Sequence, residues 1–427
     1  MAKRFSLLPL LLLSVFVPLN AFAGKPLVNV NLGFRLQDAL LHGDEAFLKK
    51  ESKTAPYLWQ RQIAYLASLQ VQMKLSETLK EARKCFKRGD SEHSAPLLIY
   101  CSIFGASAAL TDLRVSYWAH IGVSVKSTLY PILKRSFSRD VGIGYFESFS
   151  FKDFLRAPLV NIRQRKPGFL PWRKDCASHG KVAETQIRID GERICVLIDT
   201  GAGASMLTKA TAKRLGLIAF TGNYGSARGL DDTSHATELG VAPRVGVGNV
   251  TITNFPFRVS GDAKYNILGS DGLKQLGNIR FTQTGLMILR SSQQRCTSPM
   301  AYAFREYFPM GPILPAVVND KSVKLLFDSG HRGALATNER KFVRLNSKSL
   351  PNPITTHGAF GSELDAYITN VSFSLEPKSA SSGLKIAYTP DFRFPVAVLA
   401  GFAILKKYSV ELDFDSHKAC FIPAVDD

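Results

Sequence analysis

The chain has 427 residues, of which 45% are apolar and 21% are charged, and its formal net charge is +19 at pH 7. This composition is ordinary for a folded protein and excludes a largely disordered chain, and the length allows two or three compact units. The basic residues are spread along the chain, so the charge predicts a solvated surface with some affinity for an anionic envelope surface, and no nucleic-acid partner is expected.

Residues 1–23 have the layout of a secretory signal peptide. Lys3 and Arg4 precede the apolar run 7–17, and Ala21-Phe22-Ala23 is a small-residue cleavage pattern. We expect cleavage after Ala23 and a periplasmic or secreted protein. The apolar run is short for a transmembrane helix, and an uncleaved N-terminal membrane anchor is the alternative.

Residues 24–140 are predicted to form a helical domain. Within 56–86, apolar residues recur at helical spacing, namely Leu58, Ile63, Leu66, Leu69, Val71, Leu75 and Leu79. This pattern is typical of packed antiparallel helices. Nothing in the domain suggests catalysis, so we expect a scaffold, a surface for a protein partner, or a segment that masks a cleft. Residues 141–178, aromatic at first and then basic and proline-containing, are predicted to be a linker.

All six cysteines lie beyond the predicted signal peptide, and an even number in an exported protein permits disulfides. Their distribution favours one pair in each unit, namely Cys85 with Cys101, Cys176 with Cys195, and Cys296 with Cys420. Other pairings and free buried thiols remain open.

From residue 179 onward, short β-branched runs alternate with Gly, Asn and Asp turns, which predicts strands. This part of the chain is duplicated, as residues 179–295 and 296–427. Each copy has a strand, a two-residue turn (Asp190-Gly191 or Asn319-Asp320) and an apolar strand. That strand leads into Asp199-Thr200-Gly201-Ala202 in the first copy and Asp328-Ser329-Gly330 in the second.

The agreement between the copies continues downstream. Each has a short helix (209–217 and 338–345), a glycine-containing hairpin (225–238 and 358–365) and further strand. Each then has an apolar run that ends in glycine, Gly269 or Gly401, before another short helix and a final strand pair. In the first copy, Asp271 is predicted to cap that helix.

The two Asp-hydroxyl-Gly motifs, each with its downstream apolar-apolar-Gly segment, resemble those of the retropepsin-like aspartic peptidases and their two-lobed pepsin-like relatives. The resemblance covers the chain from about residue 179 and leaves the helical domain outside it. It implies a mainly β, two-lobed aspartic-peptidase fold, made of duplicated retropepsin-like lobes and preceded here by the α-helical domain. It also implies a cleft with Asp199 and Asp328 at its centre, supported by loops that contain Thr200, Gly201, Ser329 and Gly330.

The function implied is an aspartic endopeptidase that acts on peptides or proteins. Two carboxyl groups held close together share one proton, and the ionised member activates a water. This chemistry needs no metal and no cofactor. Gly229, Gly358 and Gly361, in the two predicted hairpins, are candidate flap residues.

His331 departs from the family pattern, since a small residue usually follows the glycine of the motif. A bulky, titratable side chain there favours an alternative, a catalytically weak or inactive pseudo-peptidase that binds extended peptides as a regulatory module. The sequence contains neither H-E-x-x-H nor G-x-S-x-G, so it does not support a metallopeptidase or a serine hydrolase of that type.

Overall fold

The computed structural model describes residues 30–92, 94–114, 159–164, 166–176, 181–220, 226–228, 234–290, 293, 295–305, 308–343, 354–357, 363–376, 381–390 and 396–424. The predicted signal peptide, and its alternative as a membrane anchor, lie outside these residues. No helix in the described part of the chain is both long enough and apolar enough to span a membrane.

The described N-terminal region is helical, as predicted. Its helices are α1 (Val30–Leu41), α2 (Glu45–Thr54), α3 (Leu58–Val71), α4 (Leu75–Ser91) and α5 (Ala95–Thr111). The apolar positions predicted in 56–86 lie in α3 and α4 and are buried, except Leu58, which is 52% exposed at the start of α3. The chain turns between α3 and α4 at Met73, whose φ is +58°.

Strands dominate the rest of the described chain. Those up to the end of the first copy are β1 (Asn161–Gln164), β2 (Gly168–Pro171), β3 (Glu184–Ile189), β4 (Glu192–Ile198), β5 (Met206–Thr208), β6 (Ile218–Phe220), β7 (Ser226–Arg228), β8 (Ser234–Ala236), β9 (Glu238–Val247), β10 (Val250–Ser260), β11 (Ile267–Leu268), β12 (Asn278–Phe281) and β13 (Gly285–Leu289). Two short helices, α6 (Lys209–Arg214) and α7 (Ser270–Lys274), interrupt them.

The second copy repeats this order. Its strands are β14 (Ala301–Arg305), β15 (Phe308–Val318), β16 (Lys321–Asp328), β17 (Leu335–Thr337), β18 (Ile354–His357), β19 (Glu363–Ser374), β20 (Ser382–Tyr388), β21 (Val398–Gly401), β22 (Tyr408–Asp413) and β23 (Lys418–Pro423). Short 3-10 helices at Arg340–Phe342 and Phe402–Lys406 take the places of α6 and α7.

The two copies share turns and tertiary ties as well as order. In each turn both residues have positive φ: +49° and +93° at Asp190-Gly191, and +47° and +63° at Asn319-Asp320. This is the geometry of a tight two-residue hairpin. The side chain of the first turn residue then accepts a hydrogen bond from the next long hairpin. Asp190 Oδ1 accepts from Arg244 N at 2.9 Å, and Asn319 Oδ1 accepts from Ser372 N at 3.1 Å.

Around each motif aspartate the strands also pair alike. The strand that leads to the aspartate pairs in parallel with the later apolar run, β4 with β11 and β16 with β21. The strand that follows the aspartate loop pairs antiparallel with the same run, β5 with β11 and β17 with β21. The duplication predicted from the sequence is therefore a pair of lobes with one topology.

A sheet of five strands, in the order β2-β13-β12-β22-β23, joins the two lobes. Its central pair is β12 of the first lobe and β22 of the second, in antiparallel register. Arg280 on β12 binds the fully buried carboxylate of Glu411 on β22, with the Nε to Oε2 distance at 2.9 Å. The lobes are thus held together by a shared sheet and a buried ion pair.

Part of the predicted linker is built into the β region. β1 pairs with β10, and β2 pairs with β13 at the edge of the shared sheet. Trp172 Nε1, just after β2, donates to Thr282 O at 3.0 Å. These two strands lie within the predicted linker, 141–178, and the sequence did not indicate them, because segments of four residues near prolines give little strand signal. The boundaries of the predicted domains stay predictions.

All three predicted disulfides are present. They join Cys85 to Cys101, Cys176 to Cys195, and Cys296 to Cys420. The first links α4 to α5 within the helical region. The second ties the segment after β2 to β4, and the third ties the start of the second lobe to β23. Taken with the helices and sheets described above, the chain has a mainly β, two-lobed region preceded by a helical region.

Candidate active site

Asp199 follows β4 and Asp328 ends β16, so the two equivalent strands bring them to equivalent places. In each lobe, one carboxylate oxygen accepts two hydrogen bonds from backbone N–H groups of its own loop. The donors to Asp199 Oδ1 are Gly201 N (2.8 Å) and Ala202 N (3.0 Å), and the donors to Asp328 Oδ1 are Gly330 N (2.9 Å) and His331 N (3.3 Å). Both carboxylates are therefore oriented by their own loops.

The two carboxyl groups meet between the lobes. Each one lies against the glycine of the opposite loop. A Cβ added to Gly201 would lie 2.6 Å from Asp328 Cγ, and one added to Gly330 would lie 2.6 Å from Asp199 Cγ. Any side chain at either glycine would push a carboxylate away, so this pairing requires glycine at both positions.

Beneath the carboxylates, Thr200 and Ser329 bind across the interface between the lobes. Thr200 N donates to Ser329 Oγ at 3.1 Å, and Ser329 N donates to Thr200 Oγ1 at 3.0 Å. The hydroxyl groups then donate to backbone carbonyls of the opposite lobe, Thr200 to Phe327 O at 2.7 Å and Ser329 to Ile198 O at 2.6 Å. These four reciprocal bonds fix the distance between the two aspartate loops.

Burial raises the pKa of both carboxyl groups, because it removes solvent from the charged form. The pKa of Asp328 is raised further by the charge of Asp199 and by the hydrogen bond between them. The pKa of Asp199 is held down in part by the hydrogen bonds from Asp328, Gly201 and Ala202. The two carboxyl groups therefore share one proton and titrate as a pair. Both residues remain half-buried, so solvent reaches the pair.

The His331 side chain packs against its own lobe. A Cβ added to Gly401 would lie 2.5 Å from His331 Cδ2, and one added to Gly333 would lie 2.8 Å from Nε2. Nε2 is buried and has no hydrogen-bond partner among the described residues. Burial lowers the His331 pKa to about 4, so the ring is neutral at pH 7. Although His331 departs from the family pattern, its backbone N–H still donates to Asp328 Oδ1.

Sequence reasoning missed a buried polar pair behind the first loop. Asp271 Oδ1 accepts from Ser205 N at 2.8 Å, Ser205 Oγ at 2.6 Å and Gly272 N at 2.6 Å. Its predicted role as a helix cap was wrong, since it lies inside α7 and reaches the residue before β5. Burial raises its pKa to about 6. The second lobe has Ala334 and Ala403 in the corresponding places, and this difference between the copies was the signal available in the sequence.

The candidate flap residues Gly229, Gly358 and Gly361 lie outside the described residues. The strands on either side of them are described. β7 pairs antiparallel with β8, and β18 pairs antiparallel with β19. Each predicted flap therefore falls between the two arms of a hairpin, and its role as a flap stays a prediction.

Comparison with known proteins gives one family match. A family model described as "gag-polyprotein putative aspartyl protease" matches residues 185–275, the segment that contains Asp199 and Gly269. No curated protein matches the chain.

Three similar solved structures have low identity. Basic 7S globulin from soybean is 10% identical with a TM-score of 0.39, over 60% of this chain and 95% of that one. Conglutin gamma, a basic 7S globulin from lupine seeds, is 12% identical with a TM-score of 0.38, over 60% and 94%. A retropepsin-like aspartic protease from Rickettsia conorii is 17% identical with a TM-score of 0.22, over 31% and 94%.

The family match falls on the first lobe, and the second lobe repeats the same strand pairing around its own Asp-Ser-Gly motif. The resemblance predicted from the sequence is thereby confirmed. Residues 185–275 are thus similar to a family of putative aspartyl proteases, and they lie in a mainly β, two-lobed region that resembles an aspartic-protease fold.

Proposed function

We propose that the protein is an aspartic endopeptidase in which Asp199 and Asp328 form the catalytic pair. The strongest support is the reciprocal packing of the two carboxyl groups, because each lies against the glycine of the opposite loop. Such contact has no structural benefit by itself, because it brings two acids together in a partly desolvated place. Strongly perturbed carboxyl pairs of this kind are typical of catalytic sites.

The reaction proceeds without a covalent intermediate. Asp199, ionised, takes a proton from a water as that water attacks the scissile carbonyl carbon, and Asp328 gives its proton to the developing oxyanion. Asp199 then protonates the leaving nitrogen, the C–N bond breaks, and a hydroxyl of the tetrahedral intermediate returns a proton to Asp328. The pair ends with one proton, as it began.

The pH dependence follows from that single proton. Activity falls as the pH rises through the raised pKa of Asp328, because the pair then loses the proton that polarises the carbonyl. It also falls in strong acid, where Asp199 is protonated and no base remains. We therefore expect cleavage at acid to mildly acidic pH.

The test is cleavage of a peptide library by the wild type and by Asp199→Asn and Asp328→Asn, followed by mass spectrometry. The cleavage rate of each variant of the Asp199–Asp328 pair (the dyad) should fall by about 100-fold to 10,000-fold, the usual size of an acid–base contribution. Asp320→Asn is the matched control, since Asp320 is exposed in the turn before β16, and it should cleave like the wild type. Dyad variants that retain wild-type rates would show that the assignment is wrong.

A second candidate is a module that binds extended peptides without cutting them. The observation that favours it is the unusual His331, with a buried ring nitrogen that lacks a partner within the described chain. This function would give peptide binding by calorimetry together with no product after prolonged incubation at any acid pH.

We also propose that the protein is exported. Three disulfides persist best in an oxidising compartment such as the periplasm or the exterior. The N-terminal residue of the protein isolated from cells should then be Gly24, read by mass spectrometry of the intact chain. An intact Met1 in the membrane fraction would favour the anchor instead.

A further inference from the structure

We infer that the helical region, α1–α5, is a fixed brace that positions the Asp199 loop through Tyr302 and Ser270. This inference rests on the proposed function and assigns two positioning residues to the same site. It also gives a role to the part of the chain that the family resemblance leaves out.

Ser270, the fully buried first residue of α7, holds the Asp199 loop from behind. Its hydroxyl donates to Thr200 O at 3.1 Å, and its backbone N–H donates to Ala202 O at 2.8 Å. Because that hydroxyl proton is used on Thr200, the contact of 2.9 Å between Ser270 Oγ and the Tyr302 hydroxyl is donated by Tyr302. Tyr302 therefore sets the rotamer of the hydroxyl that fixes the loop.

Tyr302 lies on β14 and is also fully buried, with its ring near Phe304 and Phe414 at 6.4 and 6.3 Å. The described part of the second lobe has no such hydroxyl chain. Phe402 takes the place of Ser270 there, and its ring packs edge-on against Trp172 at 5.6 Å. Among the described residues, the polar chain thus serves the loop of Asp199, the carboxylate that acts as the base in the proposed mechanism.

The helical region contacts both elements of this chain. Gly43, between α1 and α2, has φ +55°, and a Cβ added there would lie 3.1 Å from Tyr302 O. After α5, Asp112 forms an ion pair with Lys274, the last residue of α7. The helical region therefore packs against β14 through Gly43 and is joined to α7 by the Asp112–Lys274 ion pair. A segment that only masked the cleft would need neither contact.

Tyr302 acts through Ser270 and does not touch substrate, so its effect should appear in kcat. In Tyr302→Phe, the Ser270 hydroxyl loses the donor that sets its rotamer, and the Thr200 carbonyl is held less firmly. Small misplacements of a catalytic group are costly because the reacting atoms must be closely aligned. We expect kcat to fall about 10-fold, with KM unchanged within about twofold.

The experiment uses full-length Tyr302→Phe and, as a second variant, Ser270→Ala. The matched control is Tyr408→Phe, the same change at a buried tyrosine in the Phe373–Phe421 cluster. Because both test residues lie on one chain of hydrogen bonds, the double variant should lose little more than either single variant. The pH profile of kcat should shift in both test variants and stay unchanged in the control.

A readout that needs no cleavage separates this inference from the proposed function. Aspartate carboxyls labelled with 13C are titrated by NMR, and the dyad signals are assigned by their loss in Asp199→Asn and Asp328→Asn. Tyr302→Phe or Ser270→Ala should shift the dyad titration, whereas Tyr408→Phe should not. An inactive wild type would refute the peptidase and leave this test valid. A dyad titration identical to that of the wild type in both variants would overturn the inference, whatever happens to Tm.

Discussion

Asp328 carries a carboxyl group that both burial and the neighbouring Asp199 make costly to ionise, so its pKa lies well above its usual range. The folded chain then keeps a proton that the unfolded chain releases above about pH 4. Stability is therefore lost as the pH rises from about 4 toward the folded pKa, and it stays lower at neutral pH. The pair of aspartates is expected to lower the stability of the protein.

Asp328→Asn should raise Tm at pH 7 and have a much smaller effect near pH 4. The amide keeps the acceptor for the loop N–H groups and removes the ionisation that costs about 1.4 kcal/mol for each unit of pKa shift. A gain of 1 kcal/mol in the free energy of unfolding raises Tm by about 2–4 °C in a domain of about 150–250 residues, roughly the size of the two-lobed region. Thermal melts followed by circular dichroism would measure it, with Asp320→Asn as the control. An equal Tm change at both pH values would contradict the argument.

At the scale of elements, α7 is the connection between the helices and the aspartate loop. Five residues are too few for a helix to be stable alone, so its place depends on contacts at its ends. Ser270 binds Thr200 at one end, and Lys274 pairs with Asp112 at the other. Both partners of the ion pair are shielded, with 17% exposure for Lys274 and 7% for Asp112, and Arg114 also pairs with Asp112 at 2.9 Å.

Asp112→Ala should lower the free energy of unfolding by about 1–3 kcal/mol, because it leaves Lys274 shielded from water without its partner. A double-mutant cycle with Lys274→Ala, measured by urea denaturation, should give a coupling of about 0.5–3 kcal/mol. The exposed pair Glu81–Lys84 is the matched control and should give less than about 1 kcal/mol. A coupling near zero between Asp112 and Lys274 would mean that the helices do not hold α7.

For the whole molecule, the two lobes depend on contacts that are remote in sequence. The shared sheet joins β12 to β22, and the Cys296–Cys420 disulfide ties the start of the second lobe to its final strand. That disulfide closes a separation of 124 residues, whereas Cys85–Cys101 closes only 16. Since the unfolded chain loses more freedom when a longer loop is closed, the two should differ in their effect.

Replacing Cys296 and Cys420 by Ser should therefore destabilise the protein more than replacing Cys85 and Cys101. The chain-entropy relation gives about 5 kcal/mol for the long loop and about 3 kcal/mol for the short one. Urea denaturation of the two double variants would compare them directly. A larger loss in the Cys85 and Cys101 variant would show that local packing between α4 and α5 outweighs loop length.

The sequence by itself determined the features that depend on local pattern. Helical spacing indicated α3 and α4, turn residues located the hairpins at Asp190 and Asn319, and the repeated Asp-hydroxyl-Gly motif identified Asp199 and Asp328. These could be predicted because periodicity, turn chemistry and repetition act over a few residues or appear twice.

Tertiary structure alone decided which distant groups meet. Tertiary structure made Phe327 O the acceptor for Thr200 and Asp271 the acceptor for Ser205. It also placed β2 in the shared sheet and Tyr302 behind the Asp199 loop. No local pattern specifies such partners, because a hydroxyl or carboxylate can bind any suitable group that folding brings within about 3 Å. Only packing of the helices and both lobes determines which group that is.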